Sequence, residues 1–307
     1  MTVLVFLDPA FPAGRLADAT APALLATDQG ATRGDGIFES LLAIDAKPRK
    51  VAAHLDRLAS SARVMGLDIP APDAWLRAIG TALDAFAAAR ADSAAGSAAG
   101  PDEVVVKLIA TRGDEGANSP TAWVQASAPS PAARAQREKG LDVLLLDRGY
   151  DSAVAERAPW LLLGAKTLSY AVNMAALRYA HAQGADDVIF TSTDGRVLEG
   201  PTSSVLLAHI SDDGGLPVKR LITPAQDSGI LPGTTQGALF AAARAAGWEL
   251  GYGPVVPADL MDADAVWLIS SIRLLAPVNR IDGTEVGTAA VRAQLTAELS
   301  ALLAGTE

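Results

Sequence analysis

The sequence predicts an α+β fold in two unequal domains. Three observations predict it. Strand-like apolar runs and segments of helical period both recur along the whole chain of 307 residues. Half of the residues are apolar and a fifth are charged, so each domain can bury a sizeable core. The polar, proline-marked stretch PSPAARAQREKG, residues 129–140, is the best candidate boundary. It separates an expected small domain of 1–128 from a larger one of 141–307, and no internal repeat is visible.

In chain order, TVLVFLD reads as a strand and GIFESLLAIDAKPRKVAA as a hairpin turning at Asp45–Pro48. In HLDRLASSARVMGL, Leu55, Leu58, Ala62 and Met65 follow helical spacing, and a second helix covers about 73–90. The small-residue stretch 91–102 reads as a flexible loop. EVVVKLIATRG and TAWVQASA are strands. Beyond the boundary comes the strand LDVLLLD. Next is GAKTLSYAVNMAALRYA, a lysine followed by a helix whose expected buried stripe is Leu168, Val172, Ala175, Ala176 and Tyr179. DDVIFTSTDGRVLEGPTSSVLLAHI reads as a meander with Asp194-Gly195 as a hairpin turn. LITPAQDSGILPGTTQGALFAAARAAG ends in a helix closed by Gly247. AVWLISS is a buried strand, and a final helix covers about 288–304.

The formal net charge of −10 excludes the basic footprint of a nucleic-acid binder and argues against a membrane surface as partner. The absence of cysteine excludes disulfides, thiolate metal sites and cysteine nucleophiles. His54, His181 and His209 form no metal-binding spacing, so no metal is expected. The opening MTVLVFLDPAFPAGRLAD has no basic n-region and is not read as a secretory signal. No apolar run approaches the roughly 20 residues that span a bilayer. The expected compartment is the cytoplasm.

Five places carry candidate chemistry, and the first four have a plain alternative. Lys166 sits among Gly164, Ala165 and Leu168. It is either a lysine whose stem packs while its amine reaches water, or an amine kept neutral by an apolar pocket so that it attacks a carbonyl. Glu199 follows a hairpin; it is either a solvated carboxylate or the acid that keeps a cofactor ring nitrogen protonated. Thr234 and Thr235 open a helix after Pro-Gly, where unpaired amides and the helix dipole favour an anion, though threonine also caps helices for stability alone. Arg57 in HLDRL is a surface helix residue or a guanidinium fork for the same anion. Ser270 and Ser271 place two hydroxyls at a strand end.

Taken together, RGDGIFES, HLDRLASSA, GAKTLSYAVN, GADDVIFTSTDGRVLEGPTSS, GILPGTTQ and WLISS follow one another as in the class IV (fold type IV) pyridoxal-phosphate enzymes. The chain resembles that family from about residue 28 to 283. The family contains branched-chain aminotransferases, D-amino acid aminotransferases and 4-amino-4-deoxychorismate lyases. The resemblance implies a small N-terminal α/β domain and a larger C-terminal domain of β-barrel-like sheet with helices. It also implies a homodimer and the cofactor pyridoxal 5′-phosphate. Lys166 matches the lysine that bonds the cofactor aldehyde, and Glu199 the partner of the pyridine nitrogen. Arg57, Thr234, Thr235 and Ser271 match the phosphate cup, with Ser270 beside it. Tyr170 sits near a tyrosine that bonds the cofactor's phenolic oxygen, four residues after the lysine, one fewer than in some relatives.

Three further positions bear on the substrate. Ser40 in GIFES falls where the lyases of this family carry a hydroxyl; it is either a strand serine with no role or a hydroxyl that assists proton transfer. Lys107 is a charge on an otherwise apolar strand; it faces the same way as Val105, inward or outward. The resemblance matches it to a lysine that contacts a substrate carboxylate. Arg33 stands where other members carry an aromatic residue, and a guanidinium suits a substrate with two carboxylates. The lyases carry a second arginine after the TRG stretch, whereas this chain has Ala117 and Asn118 there. The arginine–histidine pair of D-amino acid aminotransferases and the glycine–methionine loop of branched-chain enzymes are also absent from the sequence. The expected reaction is conversion of 4-amino-4-deoxychorismate to 4-aminobenzoate and pyruvate, in folate synthesis. A D-amino acid or branched-chain aminotransferase is the first alternative, and a non-catalytic pyridoxal-phosphate-binding protein the second.

Overall fold

The computed structural model describes residues 1–92, 102–116 and 119–306. Most of the expected flexible loop 91–102, and Ala117 and Asn118, lie outside the described residues. The chain forms two compact units: residues 1–130 with 165–170, and residues 131–164 with 171–307.

The first unit contains β1 (Thr2–Phe6), β2 (Arg15–Ala17), α1 (Gln29–Arg33), β3 (Gly36–Ile44), β4 (Lys47–Pro48), α2 (Val51–Val64), α3 (Pro72–Asp92), β5 (Glu103–Thr111) and β6 (Thr121–Ser127). Its sheet has the order β2-β1-β6-β5-β3-β4. Period-two alternation sorts the side chains onto two faces. Val5, Ile37, Leu41, Val106, Leu108 and Val124 pack with Leu58, Trp75, Ile79 and Phe86 of α2 and α3. The opposite face carries Phe38 and Ser40 of β3, and Lys107 of β5 beside Val105. The hairpin turn is tighter than the sequence suggests. Asp45 and Ala46, at φ 49° and 62°, form its centre, and Pro48 already belongs to β4. Positive φ at both central residues gives the turn whose twist matches the strands.

The second unit contains α4 (Pro131–Lys139), β7 (Leu141–Asp147), α5 (Val154–Arg157), α6 (Ala171–Ala182), β8 (Asp187–Thr191), β9 (Ser204–Asp213), β10 (Leu216–Pro224), α7 (Thr234–Ala245), β11 (Glu249–Gly253), α8 (Pro257–Asp262), β12 (Ala265–Ser270), β13 (Leu274–Ile281), β14 (Thr284–Glu285) and α9 (Ala289–Ala304). Its sheet runs β11-β10-β9-β12-β13-β7-β8, with β14 on β13. Residues 205–208 of β9 and 265–269 of β12 are apolar, buried and central in the sheet, whereas the second half of β9 is mostly polar and exposed.

Two expectations are corrected here. The Asp194-Gly195 turn folds the chain back on β8, where the Leu198 N–H donates to Phe190 O and the Phe190 N–H to Glu199 O. The meander stops there: β9 pairs with β10 and β12, not with β8. A strand carrying Val205-Leu206-Leu207-Ala208 needs partners on both edges and cover on both faces, which the end of the sheet does not provide. The helix after the lysine also turns differently. Ala176 and Ala180 pack against Val188 and Phe190, while Val172, Ala175 and Tyr179 are exposed. Small residues let α6 approach the sheet closely, so the alanine side becomes the inner one. Elsewhere the periodicity holds: α9 buries Leu295, Leu299 and Leu303 at intervals of four and is capped by the Thr288 hydroxyl.

Candidate active site

In the first unit, the segment around Lys166 lies along β3 as an extra edge. The Leu168 N–H donates to Gly36 O at 2.8 Å and the Phe38 N–H to Lys166 O at 3.0 Å. The Lys166 N–H donates to the buried Ser61 hydroxyl of α2 at 3.0 Å. Gly36 is what permits this closeness: a Cβ there would lie 2.6 Å from Ala110 O and 2.7 Å from Leu168 Cδ1. Anchored on both sides, the lysine Nζ lies 4.4 Å from the centre of the Phe38 ring. It reaches 3.5 Å from the Tyr170 hydroxyl, and Phe38 and Tyr170 meet edge to face at 5.1 Å. The amine is half-buried against two aromatic rings, where cation–π attraction holds it in place.

Ser40 and Lys107 are direct cross-strand partners on the same sheet face as Phe38. Lys107 is exposed, so its charge projects from that face. Arg33 ends α1 and pairs with Glu115 at 2.7 Å, both side chains being more than half exposed. Such a pair contributes at most about 1 kcal/mol and exchanges partners easily. Arg112 is committed elsewhere: it forks onto Asp35 and donates to the carbonyls of Met65 and Gly66.

Beneath this face Arg57 belongs to a charged cluster whose other members, Glu39 and His54, sequence reasoning did not single out. Glu39 is fully buried, with His54 Nδ1 at 2.7 Å and the Arg57 Nε and Nη2 at 2.6 and 2.8 Å. Burial alone would raise the Glu39 carboxyl, but the hydrogen bonds from Arg57 and His54 outweigh it and hold the group at about 2. His54 and Arg57 stand three residues apart on α2, one helical face, and Glu39 sits at an inward position of β3. That spacing was the available signal.

In the second unit, Glu199 lines a small cleft with Arg148, Tyr150, Asn173, Phe190, Leu198, Gly200 and Ile230. Its Oε2 accepts the Leu231 N–H at 3.1 Å. The Arg148 guanidinium lies 4.5 Å from the centre of the Phe190 ring, and its Nη1 is buried with no hydrogen-bond partner among the described residues. Tyr150 is raised above its ordinary pKa, first by burial and also by the Glu199 charge, against the opposing bond to Arg148. Neither Arg148 nor Tyr150 was singled out in the sequence; both stand next to the turn that ends β7.

A second cluster of that unit gathers three hydroxyls. Thr234 and Thr235 open α7, and their hydroxyls lie 3.2 and 2.9 Å from the Ser271 hydroxyl. No side chain caps α7 at Gly233, where a Cβ would lie 2.6 Å from Ser204 Oγ. Ser270 is used otherwise: its hydroxyl accepts the Arg273 N–H at 3.1 Å within the turn that follows β12. Among the described residues no helix is long and apolar enough to cross a membrane, and no group of histidines and carboxylates is placed to hold a metal.

The first unit thus carries a half-buried lysine against aromatic rings, and the second carries a carboxylate in a cleft and hydroxyls gathered at a helix start. The class IV amino-transferase family model matches residues 36–281, so the chain belongs to that family. It is a pyridoxal-phosphate-dependent enzyme of fold type IV. A relative from Mycobacterium tuberculosis, named bifunctional aminodeoxychorismate lyase / D-amino acid transaminase, is 45% identical over 91% of this chain and 92% of its own length. A solved structure of a hypothetical aminotransferase from the same organism, in its PLP-bound form, has a TM-score of 0.87 and 42% identity, covering 99% of this chain and 100% of that one. A fold IV transaminase from Curtobacterium pusillum has a TM-score of 0.87 and 41% identity over the full length of both chains.

Proposed function

We propose that this enzyme is a 4-amino-4-deoxychorismate lyase, releasing 4-aminobenzoate and pyruvate. The observation that carries the proposal is the pairing of Ser40 with Lys107 on the sheet face where Phe38 meets the Lys166 amine. One reactive amine, one hydroxyl and one cation on a single face suit a carboxylate substrate from which a carbon-bound proton is removed and an enolpyruvyl ether is expelled.

In this reading Lys166 Nζ would hold the cofactor aldehyde until the substrate amine displaces it, and the freed amine would take the proton from the amine-bearing carbon. Bound pyridoxal phosphate supplies the electron sink for the charge left on that carbon. Glu199 keeps the ring nitrogen protonated. Tyr170 donates to the phenolic oxygen. Arg57, Thr234, Thr235 and Ser271 hold the phosphate, with Ser270 shaping the turn beside them. Ser40 Oγ passes a proton to the departing enolpyruvyl oxygen, and aromatisation of the substrate ring drives the cleavage. Lys107 holds one carboxylate. Arg33 takes the second by releasing Glu115, at little cost because that pair is exposed.

The test is incubation with 4-amino-4-deoxychorismate and no keto-acid acceptor. Pyruvate should appear together with 4-aminobenzoate. If none forms, while an amino donor plus a keto acid yields the exchanged pair, the lyase assignment is wrong. The second reading is a D-amino acid transaminase; the printed name of the relative from M. tuberculosis joins both reactions in one protein. The two use the same lysine and the same phosphate donors in this reading, so a D-amino acid should turn over repeatedly only when a keto acid is present.

The enzyme is also proposed to act as a homodimer. Val172 and Tyr179, seven residues apart on one face of α6, are exposed, and that face is proposed to meet the second copy.

A further inference from the structure

The geometry points to Arg137 as a positioning residue for the phosphate, acting through the turn that carries Ser271; this rests on the reading that Ser271, Thr234 and Thr235 hold that phosphate. The turn joins β12 to β13 through Ser271, Ile272 and Arg273, and it closes with Leu274 at φ 59°. A left-handed leucine is costly, and such a conformation persists only where its surroundings over-determine it. Three groups do so here. Arg137 of α4 donates from Nε to Arg273 O at 2.8 Å and from Nη2 to Ile272 O at 2.6 Å. Arg273 Nη2 pairs at 2.6 Å with Asp187, a fully buried carboxylate at the start of β8. The Ser270 hydroxyl accepts the Arg273 N–H from within the turn.

The two carbonyls that Arg137 grips belong to the residues immediately after Ser271. Held there, the turn keeps the Ser271 hydroxyl within 3.2 and 2.9 Å of the Thr234 and Thr235 hydroxyls. The planar guanidinium holds both carbonyls at once in a fixed fork, which a lysine does not reproduce. No residue of α4 is fully buried, and its last residue is held by the Asn279 amide, which donates to Lys139 O at 2.9 Å. Arg137 therefore acts on the phosphate at second hand, by holding the turn, and touches neither substrate nor cofactor itself.

The test compares two cofactor forms on the full-length apoprotein. Arg137→Gln and Arg137→Lys variants are titrated with pyridoxal phosphate and with pyridoxal, which lacks the phosphate but bonds the same lysine. Binding is read by the absorbance of the lysine-bound chromophore. Pyridoxal phosphate should bind about tenfold more weakly to both variants, the loss expected from one misplaced charge-assisted bond. Pyridoxal should change by less than about twofold. The Ser271→Ala variant should show the same selective loss, and adding Arg137→Gln to it should cost nothing further. Equal losses for the two ligands, unchanged pyridoxal phosphate binding in Arg137→Gln, or additive losses in the double variant overturn the inference. If Ser271→Ala binds pyridoxal phosphate as the unaltered enzyme does, the phosphate reading fails and this inference fails with it. The selective loss in Arg137→Gln tells these failures apart. Melting of the apoproteins shows whether α4 has merely detached.

Discussion

Glu39 receives Arg57 through two parallel bonds, Nε to Oε1 at 2.6 Å and Nη2 to Oε2 at 2.8 Å, at a site with no exposure of the carboxylate. The fork fixes the plane of a guanidinium at the edge of the cluster, and His54 Nδ1 fills the remaining side of Oε2 at 2.7 Å. Removing the carboxylate should leave a buried cation without its partner. Glu39→Gln is expected to lose about 3–5 kcal/mol of stability and to bind pyridoxal phosphate more weakly. Chemical denaturation of the apoprotein, with cofactor titration of the folded fraction, checks both; a loss below about 1 kcal/mol would mean that the pair is not coupled as drawn.

The same group makes the stability depend on acid. Its carboxyl stands near 4.5 in the unfolded chain and at about 2 in the fold. A depressed carboxyl contributes fully above its unfolded value and loses that contribution as pH falls through its folded value. Stability should therefore decline between those two values, by on the order of 3 kcal/mol from this group. In Glu39→Gln that part of the pH profile should flatten. An unchanged slope in the variant would assign the acid sensitivity to other carboxylates.

Gly36 sets how closely the Lys166 segment approaches β3. Gly36→Ala would push a methyl group against Ala110 O and Leu168 Cδ1 at under 3 Å, and the flexible leucine cannot relieve the clash with the carbonyl. The variant is expected to lose about 1–3 kcal/mol and to form less of the lysine-bound chromophore. Lys166→Ala should abolish that chromophore with far less effect on melting, because its amine is only half-buried.

Lys107 projects from the sheet face opposite the α2–α3 core. Lys107→Ala should raise KM for a carboxylate substrate by about tenfold or more while the cofactor spectrum stays as it was. Ser40→Ala should lower kcat with a smaller change in KM. Loss of the chromophore in Lys107→Ala would remove that lysine from the substrate side of the site.

The exposed face of α6 should bury itself in a second copy. Val172→Asp or Tyr179→Asp is expected to shift the sedimenting species toward the 31.5 kDa single chain. If the unaltered enzyme already sediments as a single chain, the homodimer proposal is wrong.

Much of the fold was legible because strands and helices declare their period. β3, β5, α2, α3 and α9 lie close to where alternation and helical spacing put them. Lys166, Glu199, Thr234, Thr235 and Ser271 could be named as candidates from the sequence because residue types suited to this chemistry occur there in a recognisable order. Other features required the third dimension. Which strand lies beside β9 depends on burial across a whole sheet, and nothing local to the hairpin at Gly195 carries that. The inward side of α6 was decided by how near two alanines can come to β8, not by the hydrophobicity of Val172 or Tyr179. Glu39, His54 and Arg57 form one charged unit only because a strand and a helix bring them together, fifteen and eighteen residues apart, where water is excluded. Period and residue type are local properties and can be read along a chain; partnership between buried charges depends on distance and desolvation, and these exist only once the chain has folded.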